Sequence, residues 1–446
     1  MSDSQRIVRS YYAISGVYTL SASLIWGVNT LFLLDAGLDF FEVFVANAAY
    51  SLGTVLFEIP TGVVADTLGR RTSFLLSVGV LSASTLGYVA LSMTDVGVIP
   101  YVLVSILLGL GFTFYSGAVD AWLVDALATT DWTDTLDHVF ARASMFTAAA
   151  MLIGTVGGGL LGQLDLAIPF LARAGLLAVV FVLAWSRMYD IGYEPRPLNR
   201  HNVVSEMTTT GRNGMRTALG TPDLRLFAIA GAFTSGFFIW GWYAWQPHFL
   251  DLFGDPDAVW VAGVVSALVA ASMMAGNLLV GRVHKYCHKR TTLLLWATAG
   301  IATGGAIIGF VEVFWVAVPA LLLMTMALGV TMPVRTAYLH ASVPSQHRAT
   351  AVSTDSMVSG VGQVGGQLGL GALGRGRGEP AGYLVGAAMT AVTLPLLWLA
   401  RRVGSPADQI RGTLPESSCA ADGLPEIAMV SGTHAGFPED EPLVEA

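Results

Sequence analysis

Long apolar runs separated by short polar segments occupy the chain from residue 11 to residue 400. A membrane-spanning helix needs about 20 consecutive, mostly apolar residues, and soluble domains do not repeat runs of that length. The pattern therefore predicts an all-α membrane protein with twelve transmembrane helices. The predicted spans are 11–34, 43–65, 72–93, 98–128, 141–163, 166–189, 224–250, 258–281, 291–312, 314–341, 350–373 and 381–400.

A polar stretch at 190–223 divides these spans into two sets of six. The two sets resemble each other: TGVVADTLGRRTSFL at 61–75 aligns with VGRVHKYCHKRTTLL at 280–294, and RAS at 142–144 aligns with RAT at 348–350. Short matches at corresponding places indicate a duplicated six-helix unit. We therefore predict two pseudo-symmetric bundles, 1–189 and 224–402, joined by a cytoplasmic linker, 190–223, and followed by a tail, 403–446.

Composition and charge agree with a lipid environment. Only 12% of the residues are charged and 54% are hydrophobic, whereas about 25% are charged in an average soluble domain. A soluble enzyme is excluded on this basis. The net charge of −8 argues against a nucleic-acid partner, and most of it lies in 403–446, which is predicted to be a disordered acidic tail.

The distribution of Lys and Arg predicts the orientation. If the N-terminus is cytoplasmic, nearly all of the 23 basic residues lie on the cytoplasmic side, and the outer loops are acidic. We therefore expect a multi-pass protein of the plasma membrane with both termini in the cytoplasm. The first apolar run is too long for a signal peptide and is expected to remain as a span. Cys287 and Cys419 would both be cytoplasmic, so no disulfide is predicted.

The segment GVVADTLGRR, from Gly62 to Arg71, resembles the signature loop of the major facilitator superfamily, G-x-x-x-D-x-x-G-R-[RK]. Thr67 stands where that loop usually has a basic residue. Three further stretches, SGAVDAWLVD at 116–125, YAWQPHFL at 243–250 and RATAVSTDS at 348–356, resemble a drug-exporter-like bacterial branch of the superfamily. The resemblance implies two six-helix bundles that work by alternating access around a cavity at the membrane midplane.

The signature loop predicts a gate. Glycines permit close helix approach and a tight turn, and the resemblance implies that Asp66 contacts the start of the eleventh span while Arg70 reaches Asp125 on the fourth. Such a charge latch would hold one conformation and break in the other. The alternative is a simple turn with a charged rim. The predicted gating residues are Gly62, Asp66, Gly69, Arg70, Arg71 and Asp125.

Charged residues inside the spans supply candidates for proton coupling, because each costs at least about 2.5 kcal/mol at a helix centre. Aligning residues 116–125 with residues 331–340 places Asp120 and Arg335 at equivalent positions. The resemblance implies that the fourth and tenth spans face each other across the central cavity. Asp120 is the predicted proton carrier, and Arg335 would stabilise its ionised form or hold substrate; the alternative is a fixed ion pair. Arg173 is expected to snorkel. The proton-coupling candidates are Asp120, Arg335, Glu58, Arg142 and Asp355, and a structural network is preferred for the last three.

Aromatic residues on the first and seventh spans predict a substrate site, because aromatic walls suit large, partly apolar or cationic compounds. The competing interpretation is an interfacial belt, which we favour for Trp245. The predicted substrate-binding residues are Tyr18, Trp26, Asn29, Phe237, Trp240 and Gln246.

His284, Cys287 and His288 have a spacing that a metal site can use, but the repeat explains this segment as a second copy of the signature loop, so no metal is predicted. No ATP-binding loop is present. We therefore predict a monomeric secondary transporter without a cofactor, most simply a proton-coupled exporter of a drug-like or natural-product molecule. The alternatives are a proton-coupled nutrient importer and a membrane sensor or enzyme.

Overall fold

A computed structural model describes residues 3–115, 118–130, 132, 135–192, 220–283, 287–343 and 348–410, apart from the side chains at 137 and 348–353. Most of the predicted linker, the chain beyond 410, His284 and Cys419 lie outside these ranges. The described residues contain no β-strand. They form one compact unit that ends at Ile410.

The helices follow the predicted apolar runs. In the first half they are α1 (Asp3–Ser23), α2 (Asn29–Asp35), α3 (Phe40–Leu68), α4 (Arg70–Ser92), α5 (Val98–Tyr115), α6 (Ala118–Ala128), α7 (Leu136–Gly162) and α8 (Ile168–Arg187). In the second half they are α9 (Pro222–Phe253), α10 (Val259–Val283), α11 (Arg290–Phe310), α12 (Phe314–Ser342), α13 (Arg348–Arg377) and α14 (Glu379–Val403).

Ten helical stretches in the described ranges are long and apolar enough to cross a membrane, with α5 and α6 falling in one stretch, Val98–Ala128. The two remaining predicted spans, the first and the eleventh, are also helical. The eleventh, α13, is rich in glycine and carries Arg, Asp, Gln, Ser and Thr residues that lower its mean hydropathy, which fits a helix packed between others more than one facing lipid.

The prediction of one continuous helix over 11–34 is wrong. The chain leaves the helix at residues 24–28, between α1 and α2. The side chain of Ser23 donates to the carbonyl oxygens of Thr19 and Leu20, and turn hydrogen bonds run from Trp26 N to Ser23 O and from Val28 N to Ile25 O. Serine hydroxyls that bond back onto their own helix compete with its regular ladder.

The two halves use the same helix pairings. In the first half α3 packs on α5, and a Cβ placed on Gly53 would lie 2.7 Å from the Ile106 carbonyl oxygen. In the second half the equivalent helices α10 and α12 pack through Gly276 and Gly329, each against the backbone of the other helix. Only glycine allows backbones to approach so closely. The duplicated architecture predicted from the repeat is thus visible in equivalent glycine contacts.

The halves meet along two lines. One joins α7 to α10, where Gly159 and Gly263 face each other, and the other joins α3 to α13. Glycines also bring helices together within each half: Gly158 on α7 approaches Leu24, and Gly362 on α13 approaches Ala232 of α9. Gly365 and Gly369 face open space instead.

The predicted tail does not begin at residue 403. Residues 404–410 fold back on the start of α11, and Asp408 is only 2% exposed. Its Oδ1 accepts from Thr291 N at 2.8 Å, and its Oδ2 accepts from Thr291 Oγ1 at 2.9 Å. A carboxylate at a helix N-terminus satisfies free N–H groups and interacts favourably with the helix dipole.

Replacing Asp408 with alanine is expected to lower the free energy of unfolding by about 2 kcal/mol, because two hydrogen bonds to a buried carboxylate are lost. Asp408→Asn keeps one acceptor oxygen and should lose less. Unfolding of the purified protein in detergent measures both changes. Asp95→Ala, in an exposed loop, is the matched control, and equal destabilisation by Asp408→Ala and Asp95→Ala would contradict the capping role.

Candidate functional site

Contacts between the halves close the predicted outer end of the molecule. Gln246 of α9 is fully buried; its Nε2 donates to Trp26 O at 2.9 Å, and its Oε1 accepts from Thr30 N at 2.9 Å. The Thr30 hydroxyl donates to Tyr243 O at 2.9 Å. Nearer the surface, Arg375 pairs with Asp39 at 3.0 Å. Both amide atoms of Gln246 are therefore bonded to the broken first span.

Along the other line, α3 and α13 meet through residues in the first half of α3. Gly374 packs on Phe40, Gln367 Nε2 donates to Ser51 Oγ at 3.0 Å, and Gly360 packs on Val55.

Two chambers lie beneath the closed end. The outer chamber has a volume of about 290 Å³ and lies mainly within the first half. The inner chamber has a volume of about 450 Å³ and lies between the halves. Both are lined by Tyr50 and Phe112, so the two chambers adjoin at these side chains.

The outer chamber is aromatic and holds one charged side chain. Tyr18 stacks on Tyr115 with ring centroids 3.9 Å apart, and Asn29 Nδ2 donates to Asn47 Oδ1 at 3.2 Å. The charged residue is Arg173 of α8. Further lining residues are Thr19, Ala22, Ile25, Trp26, Tyr50, Leu81, Tyr88, Leu108, Phe112 and Tyr243.

The inner chamber contains an ion pair and a separate carboxylate. Arg335 of α12 holds Asp355 of α13 through two contacts, from Nε to Oδ2 at 3.1 Å and from Nη2 to Oδ1, and its Nη1 donates to Phe227 O at 3.0 Å. Glu58 of α3 lines the same chamber. Among the residues whose side chains are described, Glu58 has no basic partner.

The turn between α3 and α4 forms a charged cluster. Arg70 Nη1 pairs with Asp66 Oδ1 at 2.8 Å, and Arg70 Nε lies 3.7 Å from Asp125 Oδ2. Gly69 has a φ of +97°, which glycine adopts without strain, and Arg71 N donates to Asp190 Oδ1 at 2.9 Å.

The family model for the Major Facilitator Superfamily matches residues 12–367. The chain belongs to the major facilitator superfamily. It is 27% identical over 362 residues to the tetracycline resistance protein, class C, of Escherichia coli, covering 78% of this chain and 85% of that protein. It is 26% identical over 358 residues to the class G tetracycline resistance protein of Vibrio anguillarum, with the same coverage. A crystal structure of a variant of the nucleoside transporter NupG has a TM-score of 0.72 at 12% identity, covering 88% of this chain and 99% of that one.

The superfamily's twelve-helix fold is thereby established for this chain. The contact of Arg70 with Asp125 that the resemblance implied is present, whereas the implied contact of Asp66 falls on side chains outside the described ones. Gly62 was expected to permit close helix approach, but a Cβ there would meet nothing within 4 Å. In this conformation, therefore, Gly62 faces open space.

The expected pairing of Asp120 with Arg335 is wrong. Arg335 is bound to Asp355, and Asp120 accepts a hydrogen bond from the Tyr11 hydroxyl at 2.7 Å. Equivalent positions in two repeats need not face each other across the cavity. Arg142, a further proton-coupling candidate, is exposed and, in the described part of the chain, pairs with neither Glu58 nor Asp120.

The predicted substrate residues separate into two groups. Tyr18, Trp26 and Asn29 line the outer chamber. Phe237 and Trp240, expected to line the cavity, are instead fully buried in the core of the second half against Tyr383. Gln246 is part of the closure between the halves. The belt interpretation of Trp245 is also wrong, because this residue is 3% exposed within the same core.

Arg173 was missed as a site residue. The snorkelling expected of it is not seen, since its guanidinium lies in the outer chamber. The available signal was the absence of any acidic residue in the sixth span that could neutralise it. The energetic cost of an isolated intramembrane charge favours a functional role over an incidental one.

Gln246→Leu is expected to weaken closure of the predicted outer end, because Trp26 O and Thr30 N lose their partners. A cysteine at Thr19, introduced after both native cysteines are replaced by serine, reports on the outer chamber. Its labelling by an impermeant thiol reagent from the outer side should rise severalfold in Gln246→Leu.

Gln409→Leu, which changes an exposed glutamine, is the control for this labelling. An equal labelling rate in Gln246→Leu and the control would show that the glutamine does not hold the outer end closed.

A double-mutant cycle distinguishes the two partners considered for Arg335. Arg335→Gln and Asp355→Asn should be coupled by about 1–3 kcal/mol in the free energy of unfolding, because the residues share an ion pair. Arg335→Gln and Asp120→Asn should be additive within about 0.5 kcal/mol. Unfolding in mixed detergent measures both cycles, and stronger coupling to Asp120 would reverse the assignment.

Proposed function

We propose that this protein exports small organic molecules from the cytoplasm in exchange for protons. The observation that carries the proposal is the pair of adjoining chambers beneath the closed end, with aromatic walls and the carboxylate of Glu58. Aromatic walls bind drug-like and natural-product compounds largely through apolar contact. A carboxylate without a basic partner can gain and lose a proton during the cycle.

The direction of transport is inferred from the relatives. Two of them are named for resistance to tetracycline, and each aligns with 78% of this chain. A transporter confers resistance by lowering the concentration of the compound inside the cell. Export also agrees with the position of the inner chamber, which lies beside the predicted cytoplasmic halves of α3 and α12.

Among the three candidate carboxylates, Glu58 fits a proton carrier best. Asp355 is held by Arg335, and Asp120 is not among the residues that line either chamber. Glu58 lies on α3 one turn beyond Val55, which packs on Gly360 of α13. A change in the separation of the halves would therefore alter the access of water to Glu58.

In the proposed cycle, Glu58 takes up a proton when the cavity faces outward, which favours release of the compound and return to the inward-facing state. Loss of that proton to the cytoplasm then allows the next compound to bind. Alternating access requires that the outer contacts at Gln246 and Asp39 break in each cycle. The proposed orientation places both termini in the cytoplasm.

Flux in inside-out membrane vesicles tests the proposal, with tetracycline as the first probe and other aromatic compounds as a panel. Vesicles with an acidic interior should accumulate the probe, and the reversed gradient should not drive accumulation. Glu58→Gln should reduce accumulation to the level of vesicles without the protein, whereas Glu312→Gln, in an exposed loop, should leave it unchanged. Proton-linked movement in the opposite direction would identify an importer instead.

A further inference from the structure

Arg173 lies at the closed end of the cavity. It is the sixth residue of α8, about 8 Å along the helix axis from Ile168. The outer chamber that it lines is also bounded by Tyr243 and Asn29, two residues next to the Gln246 closure. A molecule entering from the inner chamber therefore meets this guanidinium at the far end of its path.

The other arginines that contact the cavity or the interface between the halves have carboxylate partners. Arg335 is paired with Asp355, and Arg375 with Asp39. Within the described ranges, Arg173 forms no ion pair and donates no hydrogen bond to the protein, and its Nε is buried without an acceptor. A half-buried guanidinium without a counter-charge inside a membrane span is costly, so an anion from outside the protein would stabilise it.

The walls around Arg173 suit the oxygens of an anion. Tyr18, Tyr50, Tyr88 and Tyr243 line the outer chamber together with Arg173. Phenol hydroxyls and amide groups donate to carboxylate or phenolate oxygens, and guanidinium binds a carboxylate through two parallel hydrogen bonds. The residues that line the outer chamber include no Asp or Glu that would repel an anion.

The size of the chamber limits what can bind there. A volume of about 290 Å³ is at the low end for small-molecule sites. It accommodates a ring system with its acidic group, and a larger remainder would extend past Tyr50 and Phe112 into the inner chamber. The rings of Tyr18 and Tyr115 offer an apolar face to such a ring.

We propose that Arg173 binds an acidic group of the transported compound, so that the substrates are aromatic organic acids carried as anions. This inference rests on the proposed transport function and specifies its substrate class. It departs from the expectation that the aromatic walls select neutral or cationic compounds. Arg173 acts as the anchor, and the surrounding tyrosines supply contact area and further hydrogen bonds.

The test measures binding of three compounds with the same ring system, naphthoate, naphthamide and naphthylmethylammonium, to the full chain in lipid nanodiscs by equilibrium dialysis. Binding to empty nanodiscs is subtracted. The wild-type protein should bind naphthoate more tightly than the other two compounds. Arg173→Gln should weaken naphthoate binding by about tenfold to a hundredfold, because a charge-assisted bidentate contact is lost, and should leave naphthamide binding unchanged.

Two controls keep the test decisive. Arg187→Gln removes the same charge from an exposed position on the same helix and should bind naphthoate as the wild type does. Arg173→Lys keeps the positive charge but lacks the planar guanidinium group that makes two parallel hydrogen bonds, and it should bind naphthoate with intermediate affinity. If Arg173→Gln does not fold, the comparison of the three compounds in the wild type still decides the question.

The proposal is overturned if naphthoate fails to bind at about 10 mM, if naphthamide or the ammonium compound binds as tightly as naphthoate, or if folded Arg173→Gln binds naphthoate like the wild type. Binding in nanodiscs depends on neither proton coupling nor direction. If the vesicle experiment shows no export but naphthoate binding still depends on Arg173, this inference therefore stands. If the vesicle experiment shows proton-coupled export but naphthoate binding does not depend on Arg173, the export proposal stands.

Discussion

The requirement that backbone polar groups inside a membrane find partners explains how the two halves are joined. Where the first span breaks, carbonyl and N–H groups lose their helical partners, and no water in the hydrocarbon region replaces them. The buried carboxamide of Gln246 satisfies Trp26 O and Thr30 N together. The partner that the break needs comes from the other half of the molecule. Closing the outer end and satisfying the broken span are therefore the same event, and the cavity beneath exists because this closure holds.

Much of the fold follows from the sequence because a membrane imposes a length on every apolar run, and because duplication leaves matching residues at equivalent helix ends. The break in the first span was not predictable in this way, since residues 24–28 are themselves apolar apart from Gly27. Its cause is the backbone bonding of Ser23 together with a partner more than 200 residues away. Likewise, Asp408 could not be separated from an acidic tail by composition, because its role depends on where the chain returns after α14.

The site was harder to predict than the fold for a geometric reason. Helical spacing places Phe237 and Trp240 on one face of α9, but it does not say whether that face meets the cavity or a neighbouring helix. The structure buries both against Tyr383. The repeat identified Arg335 as important, yet its partner, Asp355, lies on an adjacent helix of the same half and not at the pseudo-symmetric position. Spacing and symmetry give equivalent positions, whereas contacts depend on how each helix is rotated.

The charges of the two chambers bear on the energetics of the proposed exchange. A monoanion bound at Arg173 leaves the cell while a proton bound at Glu58 enters, so each cycle moves two elementary charges in the same electrical sense. An interior-negative potential therefore drives this exchange with about 4.6 kcal/mol per 100 mV, in addition to the pH gradient. Import of the same anion together with one proton moves no net charge and gains nothing from the potential. Among the described residues, an unpaired cation in the outer chamber and a carboxylate without a basic partner in the inner chamber would thus give the proposed export a larger driving force than import of the same anion.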